Sequence, residues 1–188
     1  MLILASQSPR RREILHDMGY RFRVVPSGYE EDNARHVPPE ALVRLQAEGK
    51  AAEVWEKTGR QEPVLGADTV VVLYGRVLGK PGSAAEAEEM LSALSSRTHQ
   101  VMTGVAVVTE KGTVSSVCIS QVTFRPLTAE DIRGYIATGE PMDKAGAYAI
   151  QGLAGQWVTC LKGSRSNVIG LPRGMTEELL RQTGVNKD

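Results

Sequence analysis

The amino-acid sequence predicts an α/β fold with a mixed sheet and flanking helices. Short apolar runs suited to buried strands alternate with stretches of helical spacing. Two long strand-like runs, His99 to Thr109 and Thr113 to Thr123, flank Glu110-Lys111-Gly112, a hairpin signal that adds antiparallel pairing to the alternation. No internal repeat, low-complexity segment or Pro/Gly-rich linker divides the chain. Its 188 residues suffice for one core, so residues 1–188 are expected to form a single domain.

The elements follow in order. Residues 1–6 read as a buried strand. Residues 9–18 read as an amphipathic helix with Ile14, Leu15 and Met18 inward, stopped by Gly19. Tyr20 to Pro26 alternates like a strand, and Gly28 to Pro39 is a polar loop. Pro39 to Lys57 has Leu42, Leu45, Ala52 and Trp55 near helical spacing. Val64 to Leu73 is a strongly apolar strand interrupted by Gly66-Ala67-Asp68-Thr69, and Tyr74-Gly75 turns it into a return strand, Arg76 to Leu78. Helices are expected over Ser83 to Ser95 and Thr128 to Thr138, the latter capped by Thr128 with Glu130 and Asp131 in its first turn. The glycine-rich stretch Lys144 to Gly155 reads as loop with a short extended piece. Gln156 to Leu161 reads as a strand, Val168 to Leu171 as a buried strand, and Pro172 to Thr183 as a final helix with Leu179 and Leu180 inward.

Composition narrows the function. The 22 basic and 22 acidic residues cancel to a net charge of +0, which disfavours a long nucleic-acid footprint. The two cysteines, Cys118 and Cys160, match no zinc or CxxC spacing and are expected as buried free thiols of a reducing compartment. No apolar run is long enough to span a membrane, and Met1 to Ala5 is too short for a signal h-region, so the expected location is the cytoplasm.

The most informative stretch is Ser6-Gln7-Ser8-Pro9-Arg10-Arg11-Arg12. Ser8 is placed to cap a helix whose first position is Pro9. The following N–H groups and the helix dipole favour an anion. Three arginines in that first turn oppose the dipole and repel one another, an arrangement that a multiply charged anion would relieve. The alternative is a solvated basic helix end. Asp68, set within an apolar strand, must reach a strand end or a cleft, since burying it unpaired is costly. It is either a turn cap, a general base or a metal ligand. Glu30, Glu31 and Asp32 form a second acidic cluster, either functional or merely solvated. Lys50, Lys80 and Lys144 are candidate point charges for phosphate, each with surface solvation as its alternative. Carboxylates beside an anion site are typical of metal-assisted phosphate chemistry.

The ordered set of motifs resembles the Maf-family nucleotide pyrophosphatases, in the branch that acts on dTTP and UTP. The matching pieces are Ser6 to Arg11, Glu30-Glu31, Lys50-Ala51, Gly66-Ala67-Asp68-Thr69-Val70-Val71, Gly79-Lys80-Pro81, Lys144 to Gly152, and Gly163-Ser164 through Asn167 to Pro172. They span nearly the whole chain. The resemblance implies two lobes around a central cleft, similar to the inosine-triphosphate pyrophosphatase fold. It also implies α–β cleavage of a nucleoside triphosphate with a divalent cation, Mg²⁺ or Mn²⁺, by a cytoplasmic homodimer.

By the same resemblance, Asp68 is the catalytic base or a metal ligand and Glu31 a metal ligand. Arg11, with Ser6 and Ser8, binds phosphate, and Lys50 and Lys80 hold the phosphates. Arg10, Thr69 and Gln151 select the base. The rival readings are a pyrophosphatase for modified nucleotides such as 7-methyl-GTP and a non-catalytic nucleotide-binding regulator of septation. Arg10, Thr69 and Gln151 argue against the first, and an intact Asp68, Glu31 and Lys80 set would be superfluous for the second.

Overall fold

The computed structural model describes residues 1–187. Seven strands form one mixed sheet: β1 (Leu2–Leu4), β2 (Phe22–Val24), β3 (Val64–Leu73), β4 (Arg76–Leu78), β5 (Thr98–Thr109), β6 (Gly112–Phe124) and β7 (Val158–Lys162). The helices are α1 (Pro9–Asp17), α2 (Pro39–Lys57), α3 (Ala84–Leu94), α4 (Ala129–Ala137), α5 (Arg165–Ile169) and α6 (Arg173–Gln182). The strand order is β2-β1-β3-β5-β6-β7, with β4 beside β3. The β2, β1 and β3 strands run parallel, while β3, β5, β6 and β7 are successively antiparallel. Thr109 pairs with Gly112, so the expected hairpin forms with a two-residue turn, Glu110-Lys111, and Gly112 joins the strand.

The β3 strand places the site. On one edge it pairs with β5 from Val64 to Val72. On the other edge the pairing with β1 stops at Leu65, and the pairing with β4 begins only at Val71. Among the described residues no strand covers that edge between those points. A cleft opens there, and it exposes both faces of β3 to one space.

The helix α2 lies hard against this part of the sheet. A Cβ on Gly66 would sit 2.5 Å from the Ala47 carbonyl oxygen, and one on Gly104 would sit 2.2 Å from that of Val43. Only glycine permits that approach. The inward stripe of α2 is Leu42, Val43, Gln46, Ala47, Lys50, Ala51, Val54 and Trp55. This corrects the sequence expectation: Leu45 and Ala52 face solvent, and two polar residues take inward places. They are inward because a carboxylate waits for them on β3. On the opposite face, α1 and α6 pack Ile14, Leu15, Leu179 and Leu180 onto Leu4, Leu65 and Ala67. Further along, α3 and α4 cover Val71, Val101 and Val122 with Leu91, Leu94 and Tyr135.

Other expectations need correction. Val168 to Leu171 is not a strand. Ser164 caps a short helix by accepting the Asn167 N–H, and Gly170 ends it at φ 130°. Buried Asn167 pins that helix to the sheet through Val101 O and Ser120 Oγ, each at 3.0 Å. Lys144 to Gly155 is built around 3-10 turns, Ala145–Ala147 and the start of Leu153–Trp157. Cys118 is half-buried and Cys160 exposed, because they lie near the sheet's β7 edge and not in its core. Among the described residues, no helix is long and apolar enough to cross a membrane.

Candidate active site

The cleft at the open edge of β3 has a volume of roughly 520 Å³, a size suited to a small polar ligand. Five segments meet around β3 there: the β1–α1 turn, the α2 face with its neighbouring loop, Gly79-Lys80 after β4, the chain from Asp143 to Gln151, and Val168 to Gly170.

The β1–α1 turn forms as its residues dictate. Ser8 accepts the Arg11 N–H at 3.4 Å, and Pro9 opens the helix. The Ser6 hydroxyl accepts the Ser8 N–H at 3.2 Å and Arg11 Nη1 at 3.4 Å. Arg11 is held on its other sides too. Its Nε donates to Gly170 O at 2.8 Å and its Nη2 to Thr69 Oγ1 at 3.0 Å. Burial draws the guanidinium below its usual pKa, while the Asp68 and Glu31 charges push the other way. Arg10 also lines the cleft, whereas Arg12 lines a separate surface groove beside Tyr20 and Phe22. The run of three arginines therefore divides two to one.

Thr69 is hydrogen-bonded on two sides. Its hydroxyl accepts from Arg11 and shares a 2.9 Å hydrogen bond with Thr103 Oγ1. Thr103 in turn donates to Asn167 O at 3.2 Å. A hydroxyl has one proton, so Thr69 must donate to Thr103. Thr69 supports the arginine.

On the α2 side, Asp68 is buried yet fully engaged. Lys50 Nζ lies 2.9 Å from its Oδ1, and Gln46 Nε2 lies 2.8 Å from its Oδ2. Lys50 also reaches Glu31 Oε1 at 2.6 Å and Ala67 O at 3.4 Å. One ammonium thus bridges the two carboxylates that the sequence singled out. Burial pushes the Glu31 carboxyl up, but Lys50, aided by Lys80 and Arg11, outweighs it and holds the group below its ordinary value. Lys80 projects from the rim beyond Gly79. Gly146 N donates to Gly79 O at 3.0 Å, which joins the Lys80 segment to the glycine-rich chain.

That chain rests on a buried aromatic group. Tyr148 Oη lies 2.7 Å from His99 Nε2, and Ala149 N donates to Tyr135 Oη at 3.1 Å. Phe124 and Trp157 pack edge-on around them. Burial lowers the His99 pKa to about 4, so the ring is neutral near pH 7. The group fixes the backbone from Tyr148 to Gln151. Exposed Gln151 lines the cleft rim, as do Asp143 and Lys144, whose side chains are paired at 2.6 Å.

The residues to which the resemblance gives roles all line this cleft, Ser6, Ser8, Arg10, Arg11, Glu31, Lys50, Asp68, Thr69, Lys80 and Gln151, whereas the sequence candidates Glu30, Asp32 and Arg12 do not. Sequence reasoning missed Gln46, Thr103, Tyr29 and Asp143. Gln46 had a signal: it lies one helical turn before Lys50 and therefore on the same face. Tyr29 is seated where α2 has no side chain, since a Cβ on Gly49 would fall 2.3 Å from its ring.

Comparison with known proteins covers the whole chain. The dTTP/UTP pyrophosphatase of Salmonella typhimurium is 49% identical over 188 residues, covering 100% of this chain and 95% of that protein. That of Moorella thermoacetica is 50% identical, covering 98% and 96%. That of Escherichia coli O157:H7 is 48% identical, covering 95% and 91%. Among solved structures, the Staphylococcus aureus Ham1 protein aligns with a TM-score of 0.49 and 17% identity, covering 97% of this chain and 98% of that one. The profile of the family described as Maf-like protein matches residues 1–183, and the chain belongs to that family.

Proposed function

We propose that this chain is a nucleoside triphosphate pyrophosphatase that hydrolyses dTTP and UTP to the monophosphate and pyrophosphate. The observation that carries the chemistry is one cleft holding a buried carboxylate, Asp68, on the α2 side and a buttressed arginine, Arg11, on the other. The names of its full-length relatives support the substrate class. Arg11, the Ser6–Ser8 turn and Lys80 hold the phosphates. Water attacks the α-phosphorus, the bond to the bridging oxygen breaks, and pyrophosphate leaves against those cations. Asp68, fixed on both oxygens, either takes the proton from the attacking water or holds a divalent ion that acidifies that water. Positioning and charge stabilisation supply most of the acceleration.

The donor set suits a divalent cation. Glu31 and Asp68 are hard oxygen ligands on either side of Lys50 Nζ, and Mg²⁺ ordinarily takes only one or two carboxylates, completing its shell with water and phosphate oxygens. No larger cluster of acidic, His or Cys ligands exists among the described residues. Glu31 and Asp68 would hold the ion, which supplies charge neutralisation on the phosphates and a more acidic water. We place the enzyme in the cytoplasm as a homodimer.

The test is a panel of nucleoside triphosphates with Mg²⁺, reading pyrophosphate and monophosphate. Wild type should prefer dTTP and UTP over 7-methyl-GTP and stop with EDTA. Asp68→Asn should keep its fold and lose about 10²–10⁴-fold in kcat. Release of orthophosphate with a diphosphate would overturn the reaction, and near-normal turnover by Asp68→Asn would overturn the assignment of the base.

A further inference from the structure

Gln46 is 1% exposed and sits on the sheet-facing stripe of α2, among Leu42, Val43, Ala47 and Ala51. A primary amide there is costly unless every polar atom is satisfied. It is satisfied by the catalytic cleft. Oε1 accepts the Asp32 N–H at 2.6 Å. Nε2 donates to Asn33 Oδ1 at 3.1 Å and to Asp68 Oδ2 at 2.8 Å. The amide cannot be turned around. The Asp32 N–H only donates and so must meet the oxygen, which leaves the two N–H bonds for Asn33 and the carboxylate.

Two consequences follow. With Lys50 on Oδ1 and Gln46 on Oδ2, the plane of the Asp68 carboxylate is fixed. The segment carrying Glu31 is also tied to Asp68, because Asp32 and Asn33 hang from the same amide. A leucine or methionine at position 46 would fill the space without the cost of burying an amide, but would set neither.

We infer that Gln46 is a positioning residue: it orients the Asp68 carboxylate and sets its distance from the acidic loop. The inference rests on the proposed pyrophosphatase reaction. Gln46 acts through Asp68, since its own side chain is buried and does not line the cleft.

The test uses full-length Gln46→Met and Gln46→Glu. The first keeps the volume and removes the bonds. The second keeps the acceptor toward Asp32 and replaces the donor to Asp68 with an oxygen that repels its carboxylate. With dTTP and Mg²⁺, both should lose about 10²-fold in kcat with KM within about twofold. A packing role alone would leave kcat of the folded variants intact. A kcat within twofold of wild type in either folded variant, or a loss confined to KM, overturns the inference. If both variants fail to fold, the side-chain amide of Gln46 decides the matter by NMR. Its Nε2 proton resonances should move clearly between wild type and Asp68→Asn, and unmoved resonances overturn the inference. The two readings fail separately. Full turnover by Asp68→Asn sinks the reaction, whereas an inactive Asp68→Asn beside a fully active Gln46→Met sinks only the role of Gln46.

Discussion

Thr69→Val separates two roles for a residue that sequence resemblance ties to base choice. The substitution keeps the shape and removes the hydroxyl that accepts from Arg11 Nη2 at 3.0 Å and bonds to Thr103 at 2.9 Å. A hydrogen bond to a charged group contributes about 1.5–3 kcal/mol. Arg11 keeps its bond to Gly170 O at 2.8 Å, and Thr103 keeps Asn167 O, so neither partner is abandoned. The lower end applies, about 1.5–2 kcal/mol, or about 10–30-fold in kcat/KM. On the proposed role of Arg11 in holding the phosphates, the loss should be the same factor for dTTP, UTP and 7-methyl-GTP. Steady-state kinetics on all three nucleotides, with a thermal melt to verify folding, would measure it. A variant whose dTTP kinetics barely change while its ratio among nucleotides shifts would refute this reasoning and return Thr69 to the base.

Three further outcomes are expected. Arg11→Ala should raise KM and lower kcat together, while Arg12→Ala, which lines a different groove, should be near wild type; equal defects would mean that the anion seat is misplaced. Gln151→Ala should erode the preference for dTTP and UTP over 7-methyl-GTP more than it slows a poor substrate, since a polar edge left unpaired is what a base-reading site penalises; a uniform decline across nucleotides would count against it. His99 is held neutral with its pKa at about 4, so below its unfolded value of 6.5 the unfolded chain binds the extra proton. Stability should therefore fall by about 2 kcal/mol from pH 7 to pH 5. Denaturant titrations of wild type and His99→Gln would test this, and equal slopes for the two would remove His99 from the pH dependence.

The parts of the site that were legible from sequence have local causes. Ser8 followed by Pro9 predicts a capped helix start whatever lies around it, and the turn forms as expected. Asp68 stood out because a carboxylate in an apolar strand needs an explanation. The parts that were not legible depend on tertiary contact. The inward face of α2 looks wrong as an apolar stripe because Gln46 and Lys50 answer to Asp68, 22 and 18 residues away. The Val168-Ile169 pair favours a strand by propensity. Asn167, buried against β5 and β6, overrides that preference and holds a helical turn there. The chain from Glu140 to Trp157 has no period to read, since its shape is set by aromatic packing and by Gly146 at φ 67° against Val71.

The open edge of β3 explains why these distant pieces form one site. Neighbouring residues of a strand point to opposite faces, so Asp68 meets α2 while Thr69 meets Arg11. In the middle of a fully paired sheet, no ligand would touch both. Here pairing with β1 ends at Leu65 and pairing with β4 starts at Val71, and the gap leaves room for a ligand to reach around the strand. The division of labour follows from that geometry. The face with α1 carries Arg11 and the Ser6–Ser8 turn, and the face with α2 carries Asp68, Glu31 and Lys50. The chain from Asp143 to Gln151, resting on Tyr135 and Tyr148, closes the remaining side. Changes on one face should therefore alter phosphate binding, changes on the other the chemical step, and changes in the closing chain the choice of base.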